Sequence, residues 1–578
     1  MRSSLNYLLC SATVFALGAC ASTHPYPARL PMMVDTDLKS VYVPCRIEPT
    51  KKDPNHIACA PEAYVSPLVW DGVNNSLFRP LARVFAVDPA GEAVNVNAFD
   101  EVPDSAWFTN RIGTHPITVE ELQRGACEPA LMLDDENAGD GTWVIDQGKP
   151  NGASPGFRVN LPGKGKYMFK ADSKEQPERP SAASVIGAAV YHNVGFYTSC
   201  EQIVYFKPSM LKLTPGLRFE DNSGIERDFD QKALQKVLDV AAKKGDRIRM
   251  QASAWLPGRL LGPFQYDGKR RDDPNDVINH EDRRELRGGR ILAAWLHHFD
   301  AREQNSMDSW IADDKKNPDS SPGYVRHYYL DTSDCLGSEW DWDEISRRLG
   351  HSYLLDWGDI GSDFITLGTR IRPWERLRRS PGHEIFGYYG VDEFVPDEWK
   401  NEYPNPSFSR MSEHDGAWMA RILARFTPEM VQTLAKMGEF SKPDNTDYLA
   451  RVLEGRLVKI LERYLTRTSP ISDLRVEGTR LCGTDLVARR GLRAPAAFRY
   501  SAHMASAKGE LLSGPDLAVE DRGNGDFCVN LPAVPEHYVH VSLADGLARG
   551  RLIAHLYGPQ EGRGYLLAGI ERPDPGAP

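Results

Sequence analysis

The sequence lacks several features that would have assigned it to a class at once. It has no excess of basic residues: 69 Lys and Arg stand against 80 Asp and Glu, which gives a net charge of −11. A general nucleic-acid binder needs an excess of Lys and Arg to neutralise phosphates, so this class is excluded. The mean hydropathy of −0.45 excludes a protein with many membrane spans. There are no internal repeats, and the content of 41% apolar and 26% charged residues is that of ordinary globular proteins.

Short catalytic and metal-binding signatures are also missing. No CxxC pair is present, so a thioredoxin-like or zinc-ribbon site has no support. No HExxH, Walker A or EF-hand pattern occurs. The stretch Gly152–Gly156 does match G-x-S-x-G, the nucleophile elbow of serine hydrolases. Pro155 follows the serine, however, and has no N–H to donate to an oxyanion, so the hydrolase interpretation fails.

The N-terminus has the pattern of an export signal. Met1-Arg2 is followed by an apolar stretch from Leu5 to Leu17, which is too short for a permanent span of about 20 residues. It ends in Leu17-Gly18-Ala19-Cys20, which resembles a bacterial lipobox. The resemblance implies a signal peptide over 1–20, a fatty acid such as palmitate on Cys20, and attachment to the bacterial cell envelope. With Ala21 next, it implies the outer membrane. The alternative is an ordinary signal peptide with an incidental cysteine.

The cysteines are consistent with export. Of nine in total, Cys10 would leave with the signal and Cys20 would be acylated, so seven remain. An odd number leaves at least one thiol free if the others pair internally. Cys45 with Cys59, and Cys482 with Cys528, are plausible disulfides because each pair lies within one local region.

The length of 578 residues predicts three or four folding units at roughly 150 residues each. Residues 21–140 are interpreted as a tether and N-terminal extension. Short β-type runs and two helices, from Ala182 to Tyr191 and from Asp230 to Lys243, are predicted between 141 and 255, and helices dominate from 256 to 470. Residues 471–578 return to short β-type runs between Gly and Pro turns, which predicts a small sandwich-like domain.

The most informative segment is His298-Phe299-Asp300-Ala301-Arg302-Glu303-Gln304-Asn305, between a predicted helix and a predicted strand that ends at Leu330-Asp331. Phosphoryl transfer from Mg-ATP needs an Asp that accepts the proton of the nucleophile. It also needs an Asn and a second Asp that hold Mg²⁺ against the phosphates. The spacing H-x-D-x₄-N is that of the protein-kinase catalytic loop.

In these residues the chain resembles the protein-kinase-like superfamily, most closely its atypical HipA-type, CotH-type and lipid-kinase-like branches. The resemblance implies an α+β, two-lobed kinase-like fold with a β-rich small lobe over 141–255 and a helical large lobe over 256–470. It implies catalytic roles for Asp300 and Lys170, metal binding by Asn305 and Asp331, and Mg-ATP as the bound nucleotide. It further places Gly152, Ser154 and Gly156 in a loop over the phosphates, and Leu256 at the hinge. Glu178 is the upstream acidic candidate for the partner of Lys170.

The sequence also departs from the kinase pattern. Thr332-Ser333 replaces the Phe-Gly of the DFG triplet, and no A-P-E signature follows. Structural roles remain open as well: Lys170 as a surface lysine at a strand edge, Asp300 as a cap. The expected function is therefore an envelope lipoprotein that transfers phosphoryl to an unknown envelope protein or glycan. The alternatives are an inactive pseudokinase scaffold or a structural envelope lipoprotein.

The sequence also predicts the environment or the binding role of three further segments. The mixed-sign run Glu281–Arg287 predicts a solvated helix face. The arginines between Arg370 and Arg379 are left open as a contact for an acidic partner or lipid head groups. Trp107 and Phe108, in the conspicuous stretch from Phe99 to Arg111, are expected to pack against the small lobe.

Overall fold

The computed structural model describes residues 33–50, 53–65, 68–85, 91–149, 154–220, 225–340, 342–512, 516–558 and 564–574. The predicted signal peptide, Cys20 and Gly152 lie outside the described residues. The chain divides into two compact units. One is formed by residues 31–97 and 101–466, and the other by residues 467–578 with 98–100. The break at 466/467 lies within a few residues of the predicted start of the C-terminal domain.

The larger unit is a mixture of helices and sheets. Its helices are α1 (Leu68–Val73), α2 (Arg79–Phe85), α3 (Val119–Arg124), α4 (Arg179–Val194), α5 (Gln231–Val240), α6 (Arg284–Leu296), α7 (Asp343–Arg348), α8 (Trp357–Thr366), α9 (Pro406–Ser409), α10 (Glu413–Leu423), α11 (Pro428–Lys436) and α12 (Pro443–Tyr464). Its strands are β1 (Arg46–Ile47), β2 (Ile57–Ala58), β3 (Trp143–Lys149), β4 (Gly156–Leu161), β5 (Gly165–Lys170), β6 (Tyr197–Thr198), β7 (Glu201–Phe206), β8 (Leu211–Leu213), β9 (Arg218–Glu220), β10 (Glu226–Asp228), β11 (Lys243–Lys244), β12 (Arg247–Ala254), β13 (Arg259–Gly262), β14 (Ser306–Ala312) and β15 (Gly323–Tyr329).

A seven-stranded sheet forms the first half of this unit. Its order is β11-β12-β5-β4-β3-β8, and β7 also pairs with β12. Alternating side chains of these strands are buried in one apolar cluster that includes Trp143, Phe157 and Phe169. This period of two is what a strand with one buried face requires. Helix α4 packs against β7 and β12.

Helices dominate the second half. Helix α6 packs against α9, α10 and α12, around the buried Trp295 and Trp418. A four-stranded sheet, β13-β14-β15-β6, lies in the same unit. The segment between β12 and β13 is the chain connection from the seven-stranded sheet to the four-stranded sheet. Among the described residues, no helix combines the length and apolar character that crossing a bilayer requires.

The smaller unit consists of two four-stranded antiparallel sheets, β16-β17-β20-β19 and β18-β21-β22-β23. Its elements are β16 (Ile471–Glu477), β17 (Arg480–Asp485), α13 (Leu486–Arg489), β18 (Ser501–Ser506), β19 (Val519–Gly523), β20 (Asp526–Asn530), β21 (Tyr538–Ala544), β22 (Leu552–Tyr557) and β23 (Leu566–Glu571). Side chains of both sheets share one apolar core, with Leu481 and Val529 from the first and Met504 and Val541 from the second. The two antiparallel sheets of this unit thus enclose one apolar core.

Three disulfides are present among the described residues. Cys45–Cys59 and Cys482–Cys528 confirm the two predicted pairs. A third bond joins Cys127 to Cys200, 73 residues apart in the chain, and was not predicted. Cys335 is the free cysteine of the described part of the chain, and it is buried.

The expectation of a solvated face over 281–287 is wrong. Arg283, Glu285 and Arg287 are fully buried. Arg283 forms an ion pair with Asp35, and Arg284 Nε lies 3.2 Å from Asp415 Oδ1. The acidic partners come from positions far away in the sequence, so a local charge pattern could not identify them. Burying these arginines is tolerable because each has a carboxylate partner.

The packing of Trp107 also differs from the expectation. Its ring stacks on His327, with centroids 3.5 Å apart, and contacts Phe264 and His280 at their edges. All three belong to the stretch predicted as the large lobe. Phe108 lies between Phe196 and Trp418. Trp107 therefore packs against residues beyond 256, whereas Phe108 also contacts Phe196, in the stretch predicted as the small lobe.

Candidate active site

Asn305 and Asp331 are brought together by the β14–β15 hairpin. Asn305 directly precedes β14, and Asp331 follows β15 after one residue. In the hairpin register Ser306 faces Tyr329, and the N–H of Leu330 donates to the Asn305 carbonyl over 2.9 Å. The two predicted metal ligands thus lie at the same end of one hairpin, although 26 positions separate them in the sequence.

Lys170 reaches this end of the hairpin from the seven-stranded sheet. It is the last residue of β5, and its Nζ lies 2.8 Å from Asp331 Oδ2. Burial alone would raise the pKa of Asp331, but the charge and hydrogen bond of Lys170 hold that pKa well below its usual range. The backbone of Asp331 is left-handed, with φ of 50°, a conformation that Asp adopts more readily than most residues.

Asp300 and Asn305 form the neighbouring part of the site. Asn305 Nδ2 donates to Asp300 Oδ2 over 2.8 Å and to the Asp300 carbonyl over 2.7 Å. Among the described residues, Asn305 Oδ1 has no hydrogen-bond partner. The Asp300 side chain is 8% exposed, and burial raises its pKa well above the usual range. Arg302 Nε lies 2.7 Å from Asp300 Oδ1, and Arg302 also forms an ion pair with Glu402.

His298, at the start of the motif, is a core residue. Its ring is fully buried, and its Nδ1 lies 2.9 Å from the hydroxyl of Tyr191. Burial lowers the pKa of His298 to about 4, so the ring is neutral near pH 7. It holds the loop against helix α4, which contains Tyr191.

The described glycine-rich residues have local structural roles. Gly156 pairs with Lys170 in the sheet, and a Cβ there would lie 1.9 Å from the Phe169 carbonyl oxygen. The close approach of β4 and β5 therefore requires glycine at 156 whatever the loop binds. The carbonyl of Ser154 accepts a hydrogen bond from Lys149 Nζ over 3.2 Å. Leu256 lies in the connection between β12 and β13 and is 9% exposed.

The structure corrects the expected partner of Lys170. Glu178 is not the partner of Lys170, because its carboxylate accepts hydrogen bonds from the N–H and the hydroxyl of Ser441. Glu201, the first residue of β7, lies close enough to Lys170 to favour its charged form, and this contributes to the raised pKa of Lys170 against the effect of burial. Gln251 Nε2 and Ser253 Oγ donate to Glu201 Oε2 over 2.9 and 2.6 Å. Sequence spacing gave no signal for Glu201 because the contact is made across the sheet.

Two more charged residues at the site were missed. Burial and the charge of Lys170 lower the pKa of Lys149, while Asp331 and Asp334 oppose that shift. Asp334 is also close to Asp300, whose pKa it raises. The sequence signal for these residues was position: Lys149 lies within the predicted glycine-bearing loop 148–156, and Asp334 follows Asp331 by three residues.

The turn that follows Asp331 is held from helix α4. Arg179 Nη1 donates to the carbonyls of Ser333 and Cys335 over 2.6 and 2.8 Å. The Thr332 hydroxyl donates to the Ser184 carbonyl over 3.0 Å. A Cβ on Gly187 would lie 2.6 Å from Thr332 Cβ, so glycine lets the turn approach the helix closely. The position of Asp331 is thus set both by the hairpin and by α4.

Comparison of the chain with protein-family models, with curated proteins and with solved structures finds no match.

Proposed function

We propose that this protein is an envelope-anchored lipoprotein that binds Mg-ATP and transfers its terminal phosphoryl group to an envelope protein or glycan. The observation that carries the proposal is the ion pair between Lys170 and Asp331 beside the Asp300–Asn305 pair. The four residues that the sequence predicts for phosphoryl-transfer chemistry span 162 positions of the sequence and lie close together around the end of the β14–β15 hairpin.

The order of the elements supports the resemblance to kinase-like enzymes. Lys170 ends a sheet strand and helix α4 follows, and strands β6 to β12, with helix α5 among them, lead to the connection at Leu256. Helix α6, the H-x-D-x₄-N loop, a β-hairpin and Asp331 come next. In protein kinases the phosphate-binding Lys, the catalytic loop and the metal-binding Asp occur in the same order. We propose the two-lobed kinase-like fold on this basis.

The oxygen atoms at the hairpin end fit a divalent cation. Mg²⁺ prefers carboxylate, carbonyl and phosphate oxygens. Asp331 and Asn305 would supply the protein ligands, and Asn305 Oδ1 is unpaired among the described residues. When bound, Mg²⁺ would neutralise phosphate charge. Asp334 adds a third carboxylate beside Asp300 and Asp331, which pair with Arg302 and Lys170.

Before nucleotide binds, the charges of Lys170 and Asp331 neutralise each other in their ion pair. The Lys170 side chain is 12% exposed, so its charge would be costly to leave unpaired. Lys170 would then contact phosphate oxygens, while Asp331 turns to the cation. Neither charge loses its partner in this exchange.

Burial raises the pKa of Asp300, which makes its ionised form, held beside Arg302, a stronger base for the proton of the acceptor. In the transfer, the acceptor hydroxyl oxygen would bond to the terminal phosphorus and the bond from that phosphorus to the ADP oxygen would break. The hydroxyl proton would pass to Asp300. Asn305 fixes the carboxylate of Asp300, and Arg302 pairs with its other oxygen.

A second candidate is nucleotide binding without transfer. It is favoured by the burial of Asp300 and by its ion pair with Arg302, which occupies Oδ1. An envelope location, with little ATP, fits this pseudokinase alternative as well. The cation and nucleotide site would be the same in both cases, and only the proton transfer to Asp300 would be missing.

Transfer is tested by incubating the protein with Mg-ATP and an envelope extract and measuring ADP and phosphorylated products. We expect ADP formation that Asp300→Asn lowers by about a hundredfold or more, with nucleotide binding retained. Nucleotide binding without any difference in ADP between the wild type and Asp300→Asn would favour the pseudokinase. Absence of nucleotide binding would contradict both candidates.

A further inference from the structure

Two helical segments of the larger unit expose large apolar side chains. On and just after α8, Phe364 and Ile365 are each 82% exposed and Leu367 is 87% exposed. In the segment 68–85, Val69, Trp70 and Phe78 are all exposed. We refer to these six residues as the apolar face. Single exposed apolar residues are ordinary, but a concentration of this kind marks an interaction surface.

The two segments are joined directly. The indole N–H of Trp357, the first residue of α8, donates to the Ser76 carbonyl over 2.9 Å. Ser76 lies between α1 and α2, in the same segment as Trp70 and Phe78, whose rings are 5.7 Å apart. The apolar face is therefore carried by neighbouring elements.

A basic stretch continues from α8. Residues 370–379 contain five Arg and one Glu. Arg372 pairs with Asp359, Asp363 and Glu375. Arg376 and Arg378 are exposed, and neither has a partner among the described residues. Two exposed arginines without an ion-pair partner in the described part of the chain thus follow the exposed apolar residues of α8.

The other segment adds no exposed negative charge. Asp71 is the single acidic residue between 68 and 85, and it is buried. Its carboxylate accepts hydrogen bonds from Tyr403 and from Gln304, which belongs to the H-x-D-x₄-N loop. The exposed part of α1 is therefore apolar, while its buried side contacts the loop of the candidate site.

We infer that the apolar face and the arginines beside it form a docking surface for an anionic phospholipid bilayer. Trp and Phe together with aliphatic residues, flanked by Arg, are the composition of elements that lie in the headgroup region. Each Arg near an anionic membrane adds to the electrostatic attraction to its surface. A protein partner would also accept the apolar residues, but the unpaired arginines favour a surface that carries negative charge everywhere.

The predicted lipid anchor supports the choice of a bilayer, and in this respect the inference rests on the proposed function. From Cys20 to Met33, the first described residue, there are 13 residue steps. An extended chain spans at most roughly 3.5 Å per residue, so the tether would keep the body within about 45 Å of the membrane. A weak docking surface is then sufficient, because the tether raises its effective concentration.

The test uses the chain from residue 21 onward, which has no lipid anchor and contains every described residue. Its sedimentation with vesicles is measured without nucleotide, so the result does not depend on phosphoryl transfer. The vesicles are phosphatidylcholine alone or phosphatidylcholine with about a third phosphatidylglycerol. We expect binding to the anionic vesicles that weakens with salt.

The variant Phe364→Asp/Leu367→Asp should lower the vesicle affinity by about tenfold or more, since it replaces two strongly exposed apolar side chains of the apolar face by charged ones. Asp is compatible with the left-handed backbone at 367, where φ is 51°. Arg376→Gln/Arg378→Gln should weaken binding to anionic vesicles only. Leu566→Asp is the matched control, because this leucine is 65% exposed in the other unit, and it should bind as the wild type does.

Two results would overturn the inference. One is equal sedimentation of the wild type and Phe364→Asp/Leu367→Asp with anionic vesicles. The other is self-association in light scattering without vesicles that Phe364→Asp/Leu367→Asp abolishes, since the face would then bind a second copy of the chain.

Discussion

Lys170 Nζ and Asp331 Oδ2 are 2.8 Å apart, although Lys170 ends a strand of the seven-stranded sheet and Asp331 follows a strand of the four-stranded sheet, 161 positions later in the sequence. This contact joins the end of β5 to the end of the β14–β15 hairpin. Because Asn305 and Asp300 lie at the same hairpin end, the ion pair connects all four predicted catalytic and metal-binding residues. The function proposed here depends on that connection.

Replacing Lys170 by Met should destabilise the protein by about 1 kcal/mol near pH 7, since 35% of the Asp331 side chain is exposed and solvent screens the pair. The pKa of Asp331 is lowered by Lys170, so its contribution to stability is present above the ordinary Asp pKa and is lost as the pH falls. The difference in unfolding free energy between wild type and Lys170→Met should therefore shrink in acid. Urea unfolding at several pH values measures it.

Lys207→Met is the control for that experiment. Lys207 pairs with Asp246, but both side chains are more than half exposed. A loss of stability for Lys207→Met equal to that for Lys170→Met would show that the buried contact has no special role.

Glu201→Gln should weaken Mg-ATP binding by about three- to tenfold, because the buried Lys170 ammonium loses a negative neighbour that offsets the cost of burying its charge. Ser253→Ala is the matched control, since it removes the hydrogen bond to Glu201 Oε2 but keeps the carboxylate. Titration calorimetry compares the two. Equal losses of affinity would show that the hydrogen bond matters and the charge does not.

The sequence predicted the local elements well and the contacts between distant elements poorly. The strand ending at Lys170 follows from periodicity and turn residues, which are local signals. So do the strand predicted to end at Leu330, which ends at Tyr329, and the helix predicted over 283–299, which spans Arg284–Leu296. The order of Lys170, Asp300, Asn305 and Asp331 pointed to one site because kinase-like enzymes use that order. Glu201 was not found because its place beside Lys170 is made by pairing across β12.

The buried arginines at the start of α6 also have partners that lie far away in the sequence and that local patterns could not identify. A run of alternating charges looks solvated when only neighbours in sequence are considered. Arg283 and Arg284 are instead neutralised by Asp35 and Asp415, which only the folded chain brings near. The partner Cys200 of Cys127 lies 73 residues away, so local spacing gave no reason to pair them.

Asp273 should make the protein less stable as the pH rises from about 4 to 7. Burial raises the pKa of this carboxyl to about 7, so the folded state keeps a proton that the unfolded state has already released. Asp273→Asn should remove this slope, because an amide does not titrate. Its oxygen can still accept the hydrogen bond from the N–H of Asn275, which lies 2.9 Å from Asp273 Oδ1. The thermal midpoint at pH 5 and pH 8 measures the effect, with Asp246→Asn as the exposed control. A wild-type midpoint with the same pH dependence as Asp273→Asn would contradict the account.

The number of thiols that can be alkylated in the chain from residue 21 tests whether the three disulfides form. We expect no alkylation of the folded protein, because Cys335 is buried and burial raises its pKa, which keeps the thiol protonated. Unfolding without reductant should expose one thiol to alkylation, and reduction should expose seven. Mass spectrometry counts the labels. Three labels before reduction would mean that one of the disulfides does not form.

The central claim is that Asp331 and Asn305 hold a cation against a nucleotide that Lys170 also binds. It is tested most directly by the thermal midpoint of the chain from residue 21 with millimolar ATP, with and without Mg²⁺, for wild type and Asp331→Asn. We predict a rise for the wild type that needs both ATP and Mg²⁺, is absent in Asp331→Asn, and persists in the control Asp246→Asn. A wild-type midpoint that Mg-ATP does not move, or an equal rise in Asp331→Asn, would contradict the account.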